Sequence, residues 1–181
     1  MTRRQLALAA LAAALASPGA AQAPGLPGVV LLDQDGTGRA LADLARGRAV
    51  VLGFFFTGCA TICPPQTAAM QALQEALAEQ PGKRPLLLSI SLDPLGDTPQ
   101  AMRAYAARFG LALGAAPGWF LLGGDPRALL RVWTAFEQPT SRPEEHAAQL
   151  WLGAPEGRPW RRVGALTPTG RLLAMLREMA G

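Results

Sequence analysis

The sequence predicts an α/β fold with helices packed against a central sheet, and three observations point to it. One is an apolar run, Ala49 to Phe56, of the right length for a buried strand. Another is a helix-start signal that recurs at Thr98-Pro99, Asp125-Pro126 and Thr167-Pro168. The last is a pair of strand-like segments ahead of a final helix. Size and composition permit this fold: 181 residues, 50% hydrophobic and 17% charged, suit one well-buried domain rather than a disordered chain.

The first residues are set apart from that domain. Arg3 and Arg4 precede an apolar run from Leu6 to Ala16, and Ala21-Gln22-Ala23 places small residues where a signal peptidase reads. As a helix the run would rise only about 16 Å, against a hydrocarbon core of roughly 30 Å. A cleaved leader, residues 1–23, is therefore expected, with a mature domain of residues 24–181 and no permanent membrane span. Thr2-Arg3-Arg4-Gln5-Leu6 also resembles a twin-arginine signal, so the export route stays open. Losing Arg3 and Arg4 lowers the formal charge from +4 by two. With no clustered basic run and no arginine-aromatic platform, nucleic acid is not an expected partner.

The mature chain reads in order. Gly28 to Leu32, followed by Asp33-Gln34-Asp35-Gly36, is a strand entering a turn and opens an N-terminal β-hairpin. The buried run Ala49 to Phe56 follows and ends at Thr57-Gly58. Pro64 and Pro65 suit a first helical turn, where no amide partner is needed, and Met70, Leu73 and Leu77 recur on one face until Pro81-Gly82. Pro85 to Leu92 is the next strand. Thr98-Pro99 starts a helix carrying Met102, Tyr105 and Phe109, which Gly110 stops. Helices over 125–135 and 167–180 and strands over about 147–153 and 159–165 complete the fold, the two strands joined through Ala154-Pro155-Glu156-Gly157. Met70, the Phe54 to Phe56 run and the four tryptophans are read as packing residues.

Both cysteines of the chain fall in Thr57 to Gln66, with three residues between Cys59 and Cys63 and a proline after the second. Pro64 disfavours helical dihedrals at Cys63, which predicts that both cysteines lie in the turn before the helix. A turn can bring their Cβ atoms closer than the roughly 5 to 6 Å of a regular helical pair. Such a turn suits a disulfide and equally suits metal ligation. The start of the following helix favours thiolate at the nearer sulfur. A structural staple is the weaker alternative, because a disulfide closing so short a loop restricts few unfolded conformations. In an exported protein the pair sits where disulfides persist.

Phe54-Phe55-Phe56-Thr57-Gly58-Cys59-Ala60-Thr61-Ile62-Cys63-Pro64 resembles the copper motif of the Sco/SenC family. Ser89 to Pro94, continuing through Gly96-Asp97-Thr98-Pro99 to Arg108-Phe109-Gly110, is similar to the family's strand-to-helix segment. His146, followed by Leu150-Trp151-Leu152, stands at the offset of the family's distal histidine. The resemblance runs from about Leu31 to the C-terminus. It implies a thioredoxin-like sheet flanked by helices, and a metal site of Cys59, Cys63 and His146 holding one copper, as Cu(I) or Cu(II). Thiolates favour Cu(I) and imidazole accepts either state, although Cys₂His is also a zinc set. Where the family often has Pro-Asp between its cysteines, Ala60-Thr61 stands here, and Glu145 and Ala147 flank the histidine in place of Asp and Ser. Asp93 matches a family acid near the site and is the candidate for orienting a ligand, the alternative being an ordinary Asp-Pro turn.

The resemblance implies a periplasmic assembly factor that delivers copper to the binuclear site of a terminal oxidase. Its partner would be the oxidase's copper-site subunit, with another periplasmic copper carrier or a thiol reductant as a further one. The alternative is a thiol-disulfide oxidoreductase, with Cys59 and Cys63 as the catalytic pair reducing the client's copper-ligand cysteines. A copper or redox sensor would use the same site. A peroxidase would need an oxyanion-type pocket, and no arginine adjoins the loop in sequence.

Overall fold

The computed structural model describes residues 25–80, 84–138, 142–154 and 160–180. The expected leader, the Pro81-Gly82 stop and most of the Ala154 to Gly157 turn lie outside them. The architecture is the α/β fold expected: one seven-stranded sheet with helices on both faces.

Three parallel strands form its centre. They are β3 (Val50–Phe55), β4 (Leu86–Ser91) and β5 (Trp119–Gly123), and every residue in them is buried. Burial on both faces is why these segments read as apolar runs without alternation. β1 (Val30–Asp33) pairs antiparallel with β5 and with β2 (Gly38–Ala40), forming the N-terminal hairpin. β6 (Gln149–Gly153) pairs antiparallel with β3, and β7 (Arg161–Gly164) with β6. The order is β2-β1-β5-β4-β3-β6-β7.

The period of two along each strand sorts the core into layers. Val50, Leu52 and Phe54 face one side with Leu88, Ile90 and Phe120, covered by Leu129, Val132, Trp133 and Phe136, three of them from α4 (Pro126–Ala135). Val51, Leu87 and Trp119 face the other, covered by Met70, Leu73 and Leu77 of α2 (Cys63–Ala78) and Leu172 and Leu176 of α5 (Thr169–Ala180). Each such side chain contributes about 1.5 to 3 kcal/mol by leaving water. α3 (Pro99–Phe109) packs Met102 and Tyr105 against Phe55, Cys59 and Cys63 in a third cluster.

Helix starts follow the expected chemistry at two of three places. Thr98 accepts from the Ala101 amide, and Asp125 from those of Arg127 and Ala128. At the third, the Thr167 hydroxyl instead donates to the Gly164 carbonyl at 2.8 Å, and Pro168 accepts the first helical bonds of α5. Three elements were not expected from sequence: α1 (Leu41–Ala45), β5 and the 3-10 turn Pro143–Glu145. Four apolar residues between Gly118 and Gly123 carry no period that separates a strand from a loop, and only the pairing with β4 and β1 makes β5 a strand. Among the described residues, no helix is long and apolar enough to cross a membrane.

The hairpin hangs on one acid. Asp33 is fully buried and accepts from the amides of Asp35 and Thr37, both at 2.9 Å, and from Arg39 Nε at 2.7 Å. Asp33→Ala is expected to lower unfolding stability by about 2 kcal/mol, because the turn amides lose their acceptor. A urea midpoint unchanged from wild type would show that water replaces those bonds at no cost.

Topology fixes where chemistry can occur. The loops leaving the C-terminal ends of β3 and β4 emerge on one edge of the sheet. Because β6 runs antiparallel to β3, with Gly53 opposite Leu150, the start of β6 comes to that same edge.

Candidate metal centre

The cysteine loop leaves β3 through Phe56, whose carbonyl accepts the Cys59 amide at 3.1 Å. Cys59 lies in the turn, but Cys63 is the first residue of α2, so the expectation that both precede the helix is corrected for Cys63. Pro64 does not hold it out. Ile62 already has helical dihedrals, φ −93° and ψ −33°, and its carbonyl accepts the Gln66 amide at 3.3 Å.

Prolines at 64 and 65 remove two of the amides that a helix start normally offers. The Cys63 amide remains and donates to Cys59 Sγ at 3.2 Å. Burial alone would raise the Cys59 thiol, but hydrogen bonds from the Cys63 thiol and from the Cys63, Thr61 and Ile62 backbone outweigh it, and its pKa is lowered. Cys63 shifts the other way. Burial pushes its thiol well up, reinforced by the hydrogen bond to Cys59 and the charges of Cys59 and Asp97.

His146 arrives from a single 3-10 turn, Pro143–Glu145, and adopts extended backbone three residues before β6. Its Nε2 lies 3.4 Å from Cys63 Sγ, bridging 83 positions in sequence, and its Nδ1 lies 3.3 Å from the Ala147 carbonyl. A carbonyl can only accept, so Nδ1 carries the proton and Nε2 offers its lone pair towards Cys63. Burial lowers the pKa of the imidazole, against the Ala147 bond, and so favours the neutral form that ligates metals. The Phe56 ring stands edge-on to it at 6.3 Å. Glu145 takes no part, pairing with Arg142 at the surface at 3.0 Å.

Cys59, Cys63 and His146 are all buried, and one donor atom from each lies within 4.8 Å of the others. Around a single ion with ligand distances of about 2.0 to 2.3 Å, donors sit roughly 3.5 to 4.6 Å apart. The cluster is already near that span. Both cysteines are free thiols here. Two sulfurs and one neutral imidazole match a soft monovalent or borderline metal, and the same pair can exchange with disulfides.

Asp93, expected beside the site, sits in the Asp-Pro turn and accepts from the Leu95 and Gly96 amides. Those bonds are local and do not carry it to a ligand. The acid that reaches the cysteine loop is Asp97, almost fully buried, which accepts the Thr57 amide at 2.8 Å and the Ser91 hydroxyl at 2.6 Å. Burial raises its pKa, opposed by the bonds from Ser91 and Thr57. Tyr105 bonds Thr67 at 2.6 Å, and burial pushes its phenol up to about 12, so it stays protonated. Gln66 was also missed by sequence. It is buried at the same helical spacing as Cys63, Met70, Leu73 and Leu77, and a polar residue within that stripe is the signal that could have found it.

The SCO1/SenC family model matches residues 28–181. The SCO1 protein homolog of Bacillus subtilis is 32% identical over 134 residues, covering 70% of this chain and 66% of that protein. The chain thus spans just under two thirds of that relative's length. Among solved structures, BsSco, a member of the Sco family of cytochrome c oxidase assembly proteins with a disulfide switch, superposes with a TM-score of 0.74. It is 25% identical, and the match covers 87% of this chain and 94% of that one. Copper-bound ScoI of Bradyrhizobium japonicum gives 0.66 at 23% identity, over 83% of this chain and 96% of that one, a likeness of fold.

Proposed function

Because this chain belongs to the SCO1/SenC family, we propose that it binds one copper through Cys59, Cys63 and His146 and delivers it to the binuclear copper site of a terminal oxidase. The observation that carries this reading is the meeting of Cys63 Sγ and His146 Nε2 at 3.4 Å inside a buried cluster with Cys59. Neither neighbour in sequence would bring the histidine there; the β3–β6 pairing does. Copper is cargo in this scheme. Burial shields it from water, and the two soft sulfurs hold Cu(I). Anaerobic titration of the reduced chain with Cu(I) against a competing chelator is the test, with one equivalent bound and His146→Ala as the comparison. Negligible binding in both chains would end the carrier reading.

A second reading, thiol-disulfide exchange on the client's ligand cysteines, is favoured by the free thiols and by the Cys63 amide held on Cys59 Sγ. BsSco is a family member with a disulfide switch, which supports a reversible Cys59–Cys63 disulfide here as well. The expected partners are the oxidase's copper-site subunit and a second copper carrier or thiol reductant.

We place the working protein in the periplasm on the strength of Arg3-Arg4, the Leu6 to Ala16 run and Ala21-Gln22-Ala23. Protein isolated from its native host is expected to begin at Pro24 by intact mass. A membrane-bound chain that keeps residues 1–23 would replace the cleaved leader with an anchor.

A further inference from the structure

Resting on the ligand set proposed above, we infer that Gln66 is a positioning residue for His146. It acts at the seam where the chain leading into β6 parts from β3. Gln66 lies three residues after Cys63 on α2, one turn along the same face. It is 3% exposed, and its Nε2 donates to the Phe54 carbonyl at 2.7 Å.

That carbonyl marks the seam. The register between β3 and β6 ends at Gly53 opposite Leu150, and Phe54 is the next residue along β3. Four residues before Leu150 stands His146. One side chain therefore ties the helix that begins with Cys63 to the strand that leads to Cys59, at the level where the histidine's chain turns away. Gly53 leaves the space for it. A Cβ there would come within 2.9 Å of Leu150 Cδ2, 3.2 Å of Gln66 Nε2 and 3.4 Å of Met70 Sδ.

Packing alone does not call for an amide at this position. Beyond Thr67, whose hydroxyl is paired with Tyr105, the stripe continues as Met70, Leu73 and Leu77, all apolar. Gln66 Oε1 is buried without a hydrogen-bond partner, which costs stability that methionine would not lose. The Nε2 bond to Phe54 is what methionine could not supply. His146 depends on such a hold because its own bonds are long, with Nδ1 at 3.3 Å from the Ala147 carbonyl and its amide at 3.3 Å from that of Pro143. Where its chain leaves the sheet decides where Nε2 sits relative to Cys63.

A double-mutant cycle tests this. Gln66→Met keeps the volume without the amide, and Gln66→Asn keeps the amide one methylene short of Phe54. Each is made alone and with His146→Ala, and all are titrated anaerobically with Cu(I) against a chelator. The ring nitrogen shifts of His146 are followed in the reduced, metal-free chain. Both substitutions are expected to weaken Cu(I) binding about tenfold when His146 is present, as partners that orient a ligand do. They should move the ring shifts and leave the affinity of the His146→Ala chain unchanged. Equal losses in both backgrounds, or no loss in either, overturn the inference. If His146→Ala alone leaves affinity unchanged, the ligand set fails and takes the inference with it. Circular dichroism checks folding, and if Gln66→Met does not fold, Gln66→Asn carries the comparison.

Discussion

His146→Ala is expected to weaken Cu(I) binding by at least about a hundredfold, beyond the roughly 10- to 100-fold that hydrogen-bond partners of ligands contribute. Its rate of exchange with a model disulfide should stay near wild type. The first effect follows from losing one of three donors. The imidazole is buried, neutral and aimed at Cys63 by Nε2, and among the described residues no other histidine, cysteine or acid joins the cluster. The second follows because exchange needs only the two sulfurs. The Cys63 amide and the loop amides around Cys59 do not depend on His146. Chelator competition and stopped-flow exchange, run on the same two proteins, give both numbers. Equal copper affinity in the two chains would remove His146 from the ligand set.

The two measurements separate roles that the sequence could not. Strand and helix existence was legible wherever a long period or a capping residue announced it, as in the run that became β3 and at Thr98-Pro99. β5 was illegible, since its five residues become a strand only through neighbours more than 25 residues away. Site legibility followed the same division. Cys59 and Cys63 are local and stood out by spacing, whereas nothing local marked His146, and its place came from resemblance alone. What brings it to the cysteines is the antiparallel register of β6 on β3, a property of the folded sheet. Asp93 and Asp97 show the limit most plainly. Both belong to one short turn, and sequence favoured the first. Asp93 is partly exposed and serves its own turn, while Asp97 points inward to Thr57 and Ser91.

The cysteines themselves are expected to differ in kind. Cys63→Ala, offered glutathione disulfide, should accumulate a stable mixed disulfide at Cys59, whereas Cys59→Ala should react more than about tenfold more slowly, because the thiolate is the attacking form. Cys59 is lowered below an ordinary thiol, against burial, by the Cys63 thiol and by the Cys63, Thr61 and Ile62 amides, and Cys63→Ala removes the thiol but keeps those three amides. Cys63 is fully buried at the start of α2 beneath Met102 and Tyr105, and burial holds it as a thiol. Attack therefore starts at Cys59. In wild type Cys63 resolves the mixed disulfide, releasing glutathione and forming the Cys59–Cys63 bond, and without it the adduct persists. Both alanine chains should also lose tight Cu(I) binding, since each keeps only one sulfur. Mass spectrometry of the two variants after a timed exposure reads the order directly. Equal adduct on both would make the two sulfurs equivalent, and adduct only on Cys59→Ala would make Cys63 the attacking residue.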